Sequence, residues 1–323
     1  LIVSGILAAM TLGQLQAQLP NSMFFMPNVP QSHRINPAIQ PRSGVYFGMP
    51  VLSPLRLQLT SSALAFEDVI YYNSDLDAMI TPFHPMGDLE AFFNELQPVN
   101  YFLGNVGMSV LTMGFRAGKN YFSFDLTPRV DLNMYYPEGL FELPAYGFPS
   151  GETRSLIGIG IYATGFIETA VGWSRSYLLI PNMYIGVLLK LITGMANINT
   201  ANSVLEIGSS SDTLSVYTDM ELNIAAPSFV EITATDSFPS VDPDMSYFSN
   251  TPIQTVIKEQ YLGNIGFGLD IGVNYQPIPQ LMVSASLLDL GYINWQNTVT
   301  GIADFEYDFR GIYVNPFSGV DTT

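Results

Sequence analysis

The chain has 323 residues, a formal net charge of -17, only 11 Lys and Arg together, and no Cys. These figures exclude a disulfide framework, a thiolate nucleophile and a zinc–cysteine site, and they oppose nucleic-acid binding, which needs Lys and Arg at the phosphates. Hydrophobic residues make up 48% but charged ones 12%, about half the soluble average of roughly 25%. Beyond the N-terminus no apolar run reaches the ~20 residues of a membrane-crossing helix, so the sparse charge favours a β-barrel.

Residues 1–17 read as a signal peptide without its start. An apolar stretch with small residues fills 1–12, and Leu15-Gln16-Ala17 makes a cleavage signal, which implies export across an inner membrane. Residues 18–43 are rich in Pro, Asn, Met and Phe, contain Arg34-Ile35-Asn36-Pro37-Ala38 and show no period. They read as an irregular segment that plugs the barrel or packs against its periplasmic mouth, because so apolar a stretch is costly to leave in water. Residues 44–323 read as the transmembrane barrel, incomplete at its C-terminal end. Within 44–64, Val45, Phe47 and Met49 alternate, Pro50 and Pro54 interrupt the ladder, and Leu55, Leu57 and Leu59 then alternate with Arg56, Gln58 and Thr60. Residues 66–103 are long and mixed, with a short helix over 88–96 that Asp88 caps and that places Leu89, Phe92, Phe93 and Leu96 on one face.

A strand over 105–116 turns at 117–120 into the most regular stretch of the chain, 121–136. Its even positions are Phe122, Phe124, Leu126, Pro128, Val130, Leu132 and Met134; its odd positions include Ser123, Asp125, Thr127, Arg129, Asp131 and Asn133. Strand side chains point to opposite faces with period two. One face is therefore apolar and the other polar, over far more than the usual five or six or so residues. Aromatic residues close both ends, as interfacial girdles do. The even positions are expected to face lipid and the odd ones the lumen. A long strand of a soluble sandwich is the rival reading of this stretch alone.

The signal repeats. Ile157, Ile159, Ile161, Ile167, Val171 and Trp173 oppose Gly158, Gly160, Thr164, Glu168 and Gly172; Met183, Ile185, Val187, Leu189 and Leu191 oppose Lys190. Further alternating strands lie over 213–224, 264–275, 281–295 and 299–310. About eight such polar faces favour a barrel, which satisfies every backbone group in lipid. Short turns at 117–120, 176–181 and 276–280 fit the periplasmic side, and the longer 65–104, 136–154 and 236–263 the outside. That scheme needs one more strand at 228–235. It gives about ten crossings, and about 12–14 in a complete all-β, antiparallel transmembrane β-barrel.

The lumen-facing candidates are Asp125, Arg129, Asp131, Glu168, Lys190 and Asp270, with Arg129 and Lys190 balanced by nearby carboxylates. No catalytic set is expected: the only histidines, His33 and His84, lie far apart, and no Gly-x-Ser-x-Gly or metal-spaced His pair occurs. Asp242-Pro243-Asp244 with Asp236 reads as a solvated acidic loop, with loose Ca²⁺ binding as its alternative. Neither metal nor cofactor is expected.

Three stretches carry a family likeness: Gln16-Ala17-Gln18 at the end of the signal, Asn36-Pro37-Ala38, and Asp289-Leu290-Gly291-Tyr292-Ile293-Asn294-Trp295 closing a strand that starts Ser284-Ala285-Ser286. Together they resemble the outer-membrane β-barrel proteins of Bacteroidota, in the broad class of PorV-like barrels and long-chain fatty-acid transporters, and within it a group of uncharacterised function. The resemblance implies about fourteen strands with an N-terminal segment in the lumen. No ligand-binding residues match, so the fatty-acid activity of one branch is not carried over. The expected function is passive or ligand-gated transport of small apolar or amphipathic molecules, without enzymatic activity. The alternative is a structural or docking barrel that partners secretion or surface-lipoprotein machinery. Expected partners are outer-membrane lipid, a small hydrophobic ligand and an outer-membrane or secretion-system protein, but no nucleic acid.

Overall fold

The computed structural model describes residues 29–309 except 50–54, 148–150, 152, 177–179, 211–212, 228, 234–239, 245 and 297, together with 313–315 and 319–321. The expected signal peptide at 1–17, and residues 18–28 of the irregular segment, lie outside the described residues. The fold is all-β and mostly antiparallel, with 61% strand and 13% helix.

In chain order, β1 (Val45–Gly48) and β2 (Leu55–Ser61) precede a single helical turn, α1 (Phe66–Val69), and a separate hairpin of β3 (Tyr71–Asn73) and β4 (Ala78–Ile80). Next come α2 (Leu89–Glu95), β5 (Val99–Met108), β6 (Leu111–Ala117), β7 (Asn120–Pro137) and α3 (Gly139–Tyr146). They lead into β8 (Thr153–Ser155), β9 (Gly160–Ser176), β10 (Met183–Ser209) and β11 (Leu214–Ala225). After β12 (Val230–Thr233), β13 (Ser240–Pro243), α4 (Tyr247–Asn250) and α5 (Ile253–Leu262), the chain forms β14 (Ile265–Ile278), β15 (Leu281–Ile293) and β16 (Val299–Phe309), and ends in a small hairpin of β17 (Tyr313–Asn315) and β18 (Gly319–Asp321).

Twelve of these strands make one sheet. β1 pairs with β6 and β2 with β5, and β5 and β6 pair with successive lengths of β7. β7 pairs with β9, and β9 with β10. There the sheet forks. Met183 to Thr193 of β10 pair with β14, which pairs with β15; Asn197 to Ser209 pair with β11, which pairs with β16. The sheet is not closed among the described residues.

Two sequence expectations change. Of the expected strand at 228–235, the described residues Val230–Thr233 pair with β13 and not with the twelve-stranded sheet, where β16 occupies the edge of β11 from Ile224 to Leu214. The expected strand at 105–116 is two strands. Gly107 lies opposite Arg129 and Leu111 opposite Leu126, so one extra residue bulges at Ser109-Val110. Pro128 of β7 lies across from that break, where the missing N–H interrupts no ladder. The helix at 88–96 forms as α2, with Asp88 Oδ1 accepting from the Ala91 N–H at 2.9 Å, and its Phe92 packs in an aromatic cluster with Phe83, Phe93 and Phe141.

Burial on the sheet is the reverse of a soluble protein's. Along β7, Ser123, Asp125, Thr127 and Arg129 are buried, whereas Val130 on the opposite face is exposed. Glu168, Lys190 and Asp270 are buried too, while Val171, Leu189 and Phe267 are each more than half exposed. The cover on the polar face is the N-terminal segment. It forms a 3-10 turn at Pro30–Arg34 and buries Ile35, Asn36, Ala38 and Ile39. The sheet curls about it. Arg116 of β6 donates to the Pro41 carbonyl at 2.6 Å, His33 meets Asp125 of β7, and Asn36 reaches β14 and β15. Two glycines make the close approach feasible: a Cβ at Gly186 would overlap the Pro37 carbonyl, and one at Gly272 the Asn36 side chain.

Candidate functional site

The buried polar face assembles by register. Thr127 of β7 lies opposite Glu168 of β9, and Glu168 opposite Ile192 of β10; two residues along β10, Lys190 lies between Ala170 and Gly268, and Leu188 opposite Asp270 of β14. Polar side chains at every second position of neighbouring strands thus converge at one level. Asp289 of β15 joins them through a bulge. Leu269 pairs with Leu290 and Ile271 with Leu287, so β15 carries an extra residue, and Asp289 takes a left-handed backbone at φ 54°.

The result is a compact ion-pair network. Lys190 Nζ lies 2.6 Å from Asp289, 2.7 Å from Asp270 and 3.5 Å from Glu168. Arg129 lies 3.2 Å from both Glu168 and Asp289 and 3.6 Å from Asp131. The Asp289 N–H donates to Asp270 at 2.7 Å. Asn105 links Asp131 to Arg56 of β2: it donates to Asp131 and accepts from the Arg56 Nε at 3.2 Å. Buried charges persist only when paired and hydrogen-bonded; the ion pairs here join β7, β9, β10, β14 and β15, and Asn105 of β5 extends them to Arg56 on β2.

The N-terminal segment adds its own charges. Arg34 lies 3.6 Å from Glu168 and donates to Ser109 at 2.8 Å. His33 Nε2 lies 2.6 Å from Asp125, which also accepts from Thr112 at 2.7 Å, and His33 Nδ1 meets the Pro30 carbonyl at 2.8 Å. Asn36 is the anchor. Its Nδ2 donates to Ser284 at 2.7 Å and to the carbonyls of Val273 and Ala285, and its Oδ1 accepts from the Ala38 N–H at 2.8 Å. Ser286 donates to the Ile35 carbonyl at 3.0 Å.

A family described as "Family of unknown function (DUF5723)" matches residues 37–321. The chain belongs to this family. No curated protein and no solved structure matches it.

In this DUF5723 chain the six sequence candidates share the sheet's polar face but form two groups. Arg129, Asp131, Glu168, Lys190 and Asp270 meet in the network; Asp125 stands apart with His33 and Thr112. Sequence reasoning missed His33, Arg34, Asn36, Arg56 and Asp289. A signal existed for one of them: Arg56 sits on the polar side of the alternating stretch that is β2. The Asp289-to-Trp295 stretch also acquires a structural meaning. Asp289 enters the network, and the Trp295 ring lies so close over Gly194 that a Cβ there would come within 2.7 Å of it. Asp244, placed in an acidic loop, accepts from the Ser246 N–H and hydroxyl.

The His33–Asp125 pair offers no hydrolytic triad, because its third member, Thr112, donates to Asp125 and not to the imidazole. Among the described residues no group of three or more His, Asp or Glu is arranged to hold a metal. Beside the network lies a cleft of about 280 Å³, open to solvent and lined by Phe166, Ile192 and Ile293 together with Arg129 and Lys190.

Proposed function

We propose that this chain forms the wall of an outer-membrane β-barrel that passes small apolar or amphipathic molecules, passively or on ligand gating, and performs no catalysis. One observation carries the reading: from β7 to β14 the sheet exposes an apolar face and buries Asp125, Arg129, Glu168, Lys190 and Asp270 on the other. Such a face is at home in lipid and costly in water. β10 has 27 residues, a span of about 90 Å against an apolar band about 25 Å tall, so its second half reaches beyond the bilayer. The cleft beside the ion pairs provides a place for a travelling molecule, and the segment at 29–42 a plug below it.

The test is reconstitution of the full chain in liposomes and planar bilayers, intact and without residues 29–42. Permeation by small amphipathic solutes, with conductance rising on deletion, is the expected result. A barrel that inserts but passes nothing in either form refutes transport. It would leave a second reading, a barrel that docks secretion or surface-lipoprotein partners. The occupied polar face favours that reading, as does Tyr146, exposed beside the aromatic cluster of α2 and α3.

A further inference from the structure

We infer that the end of the sheet carrying the turns at 117–120 and 276–280 binds the headgroups of anionic phospholipid, through a basic rim of Arg42, Arg116, Lys119 and Arg175. The inference rests on the membrane part of the reading above and not on transport. Residues 36–49, 111–124, 169–176, 180–187 and 271–286 make up that end, and none of them is Asp or Glu. The rim thus has four cations and no carboxylate, in a chain whose net charge is -17. The opposite end contrasts with it. No Lys or Arg occurs between Arg56 and Arg116, a span that includes α2 and the hairpin of β3 and β4 and carries Glu67, Asp68, Asp88 and Glu90.

The four cations lie together. Arg116 donates to Gln40 Oε1 and to the Pro41 carbonyl, each at 2.6 Å, which brings Arg42 alongside. The Lys119 carbonyl accepts from Gln40 Nε2 at 3.3 Å and from the Ser176 N–H at 3.1 Å, so Lys119 sits between the N-terminal segment and the end of β9. Arg175 is the register partner of Asn120. All four residues are exposed. Their height on the sheet points to the ligand. Alternation puts Arg175 on the same side of β9 as Val171 and Trp173, just past the apolar face. Phe122 pairs in register with Trp173 and stacks on Phe115 with ring centres 5.3 Å apart, and Trp173 Nε1 donates to Asn120 Oδ1 at 3.3 Å. Apolar side chains, then aromatic rings with a polar handle, then cations is the order met on crossing from acyl chains to headgroups. Long basic side chains there reach the phosphates, which the guanidinium fork fits.

The experiment uses the full chain in phosphatidylcholine vesicles that also contain dibrominated-acyl phosphatidylglycerol or dibrominated-acyl phosphatidylcholine. Bromine quenches a tryptophan it touches, and Trp295→Phe leaves Trp173 at the rim as the sole reporter. The phosphatidylglycerol is expected to bind beside Trp173 about fivefold or more tighter than the phosphatidylcholine, with the preference shrinking as salt rises. Lys119→Gln together with Arg175→Gln should remove most of the preference. Quenching by the phosphatidylcholine should stay unchanged, which reports that the variant is still inserted. Lys258→Gln serves as the control. It changes an exposed cation on α5, which leads into β14 at the other end of the sheet, and should leave the preference intact. Equal quenching by the two lipids, or a preference that survives the double substitution or is lost with Lys258→Gln, overturns the proposal and spares the membrane reading. Quenching by neither lipid overturns both.

Discussion

Asn36 is held at both ends of its side chain, by Ser284 on one side and the Ala38 amide on the other. The backbone beside it fits only because Gly186 and Gly272 carry no side chain. Gly272→Val should therefore lift the segment off the sheet and speed tryptic cleavage after Arg34 and Arg42, while the sheet's circular dichroism is kept. Unchanged cleavage would mean the segment is held by something else. Lys190 faces three carboxylates, so Lys190→Leu leaves them to repel one another, at a cost of about 3–5 kcal/mol. The double change Lys190→Leu with Asp270→Asn should recover part of that loss, measured by chemical unfolding in detergent. At this scale the sequence was legible wherever a charge stood on the polar side of a strand, as with Arg129, Lys190 and Asp270. Asp289 escaped for a definite reason. Strict alternation from Leu281, Val283, Ala285 and Leu287 puts it on the apolar side, and only the extra residue in β15 brings it round. His33, Arg34 and Asn36 lie in a segment with no period, where nothing in the spacing says which way a side chain turns.

Among the elements, β7 shows how far pattern reaches. Its alternation was readable position by position from Asn120 to Val130, where each buried residue is followed by a more exposed one. Cysteines placed singly at Leu126 and Val130 should resist a water-soluble thiol reagent in lipid vesicles, and become reactive in a lipid-free aggregate. Preferential labelling of these two over Thr127 in vesicles would reverse the proposed orientation of the sheet. The boundary at Ser109-Val110 was harder to see, since a bulge changes register without changing composition. The hairpin of β12 and β13 was missed for another reason. Val230–Thr233 has the β-branched content of any strand, and which edge it joins depends on β16, which comes some seventy or so residues later. The turn at 117–120 was plain: Gly118 takes φ 62° in a two-residue connection, the shape that right-twisted hairpins favour.

At the level of the whole molecule, the apolar outer face dictates behaviour in solvent. The full chain should fold to a β-rich spectrum in detergent or vesicles and aggregate when they are removed. A soluble, monodisperse chain without detergent would count against the membrane reading. The all-β class was legible because low charge and period-two alternation agree over the whole length. The fork in the sheet was not, because both branches of β10 carry the same alternating pattern and pairing partners leave no mark on it.

That fork sets an order of events during folding. The far half of β10 meets β11 immediately after its turn, whereas the near half must wait for β14, which is made only after α5. Pairing between distant segments is the slower step. One strand thus matures in two stages, its 197–209 amides gaining protection from hydrogen exchange before those of 183–193. In the interval the near half offers an open edge to any chain that reaches it, and β14 has to arrive before a stranger does.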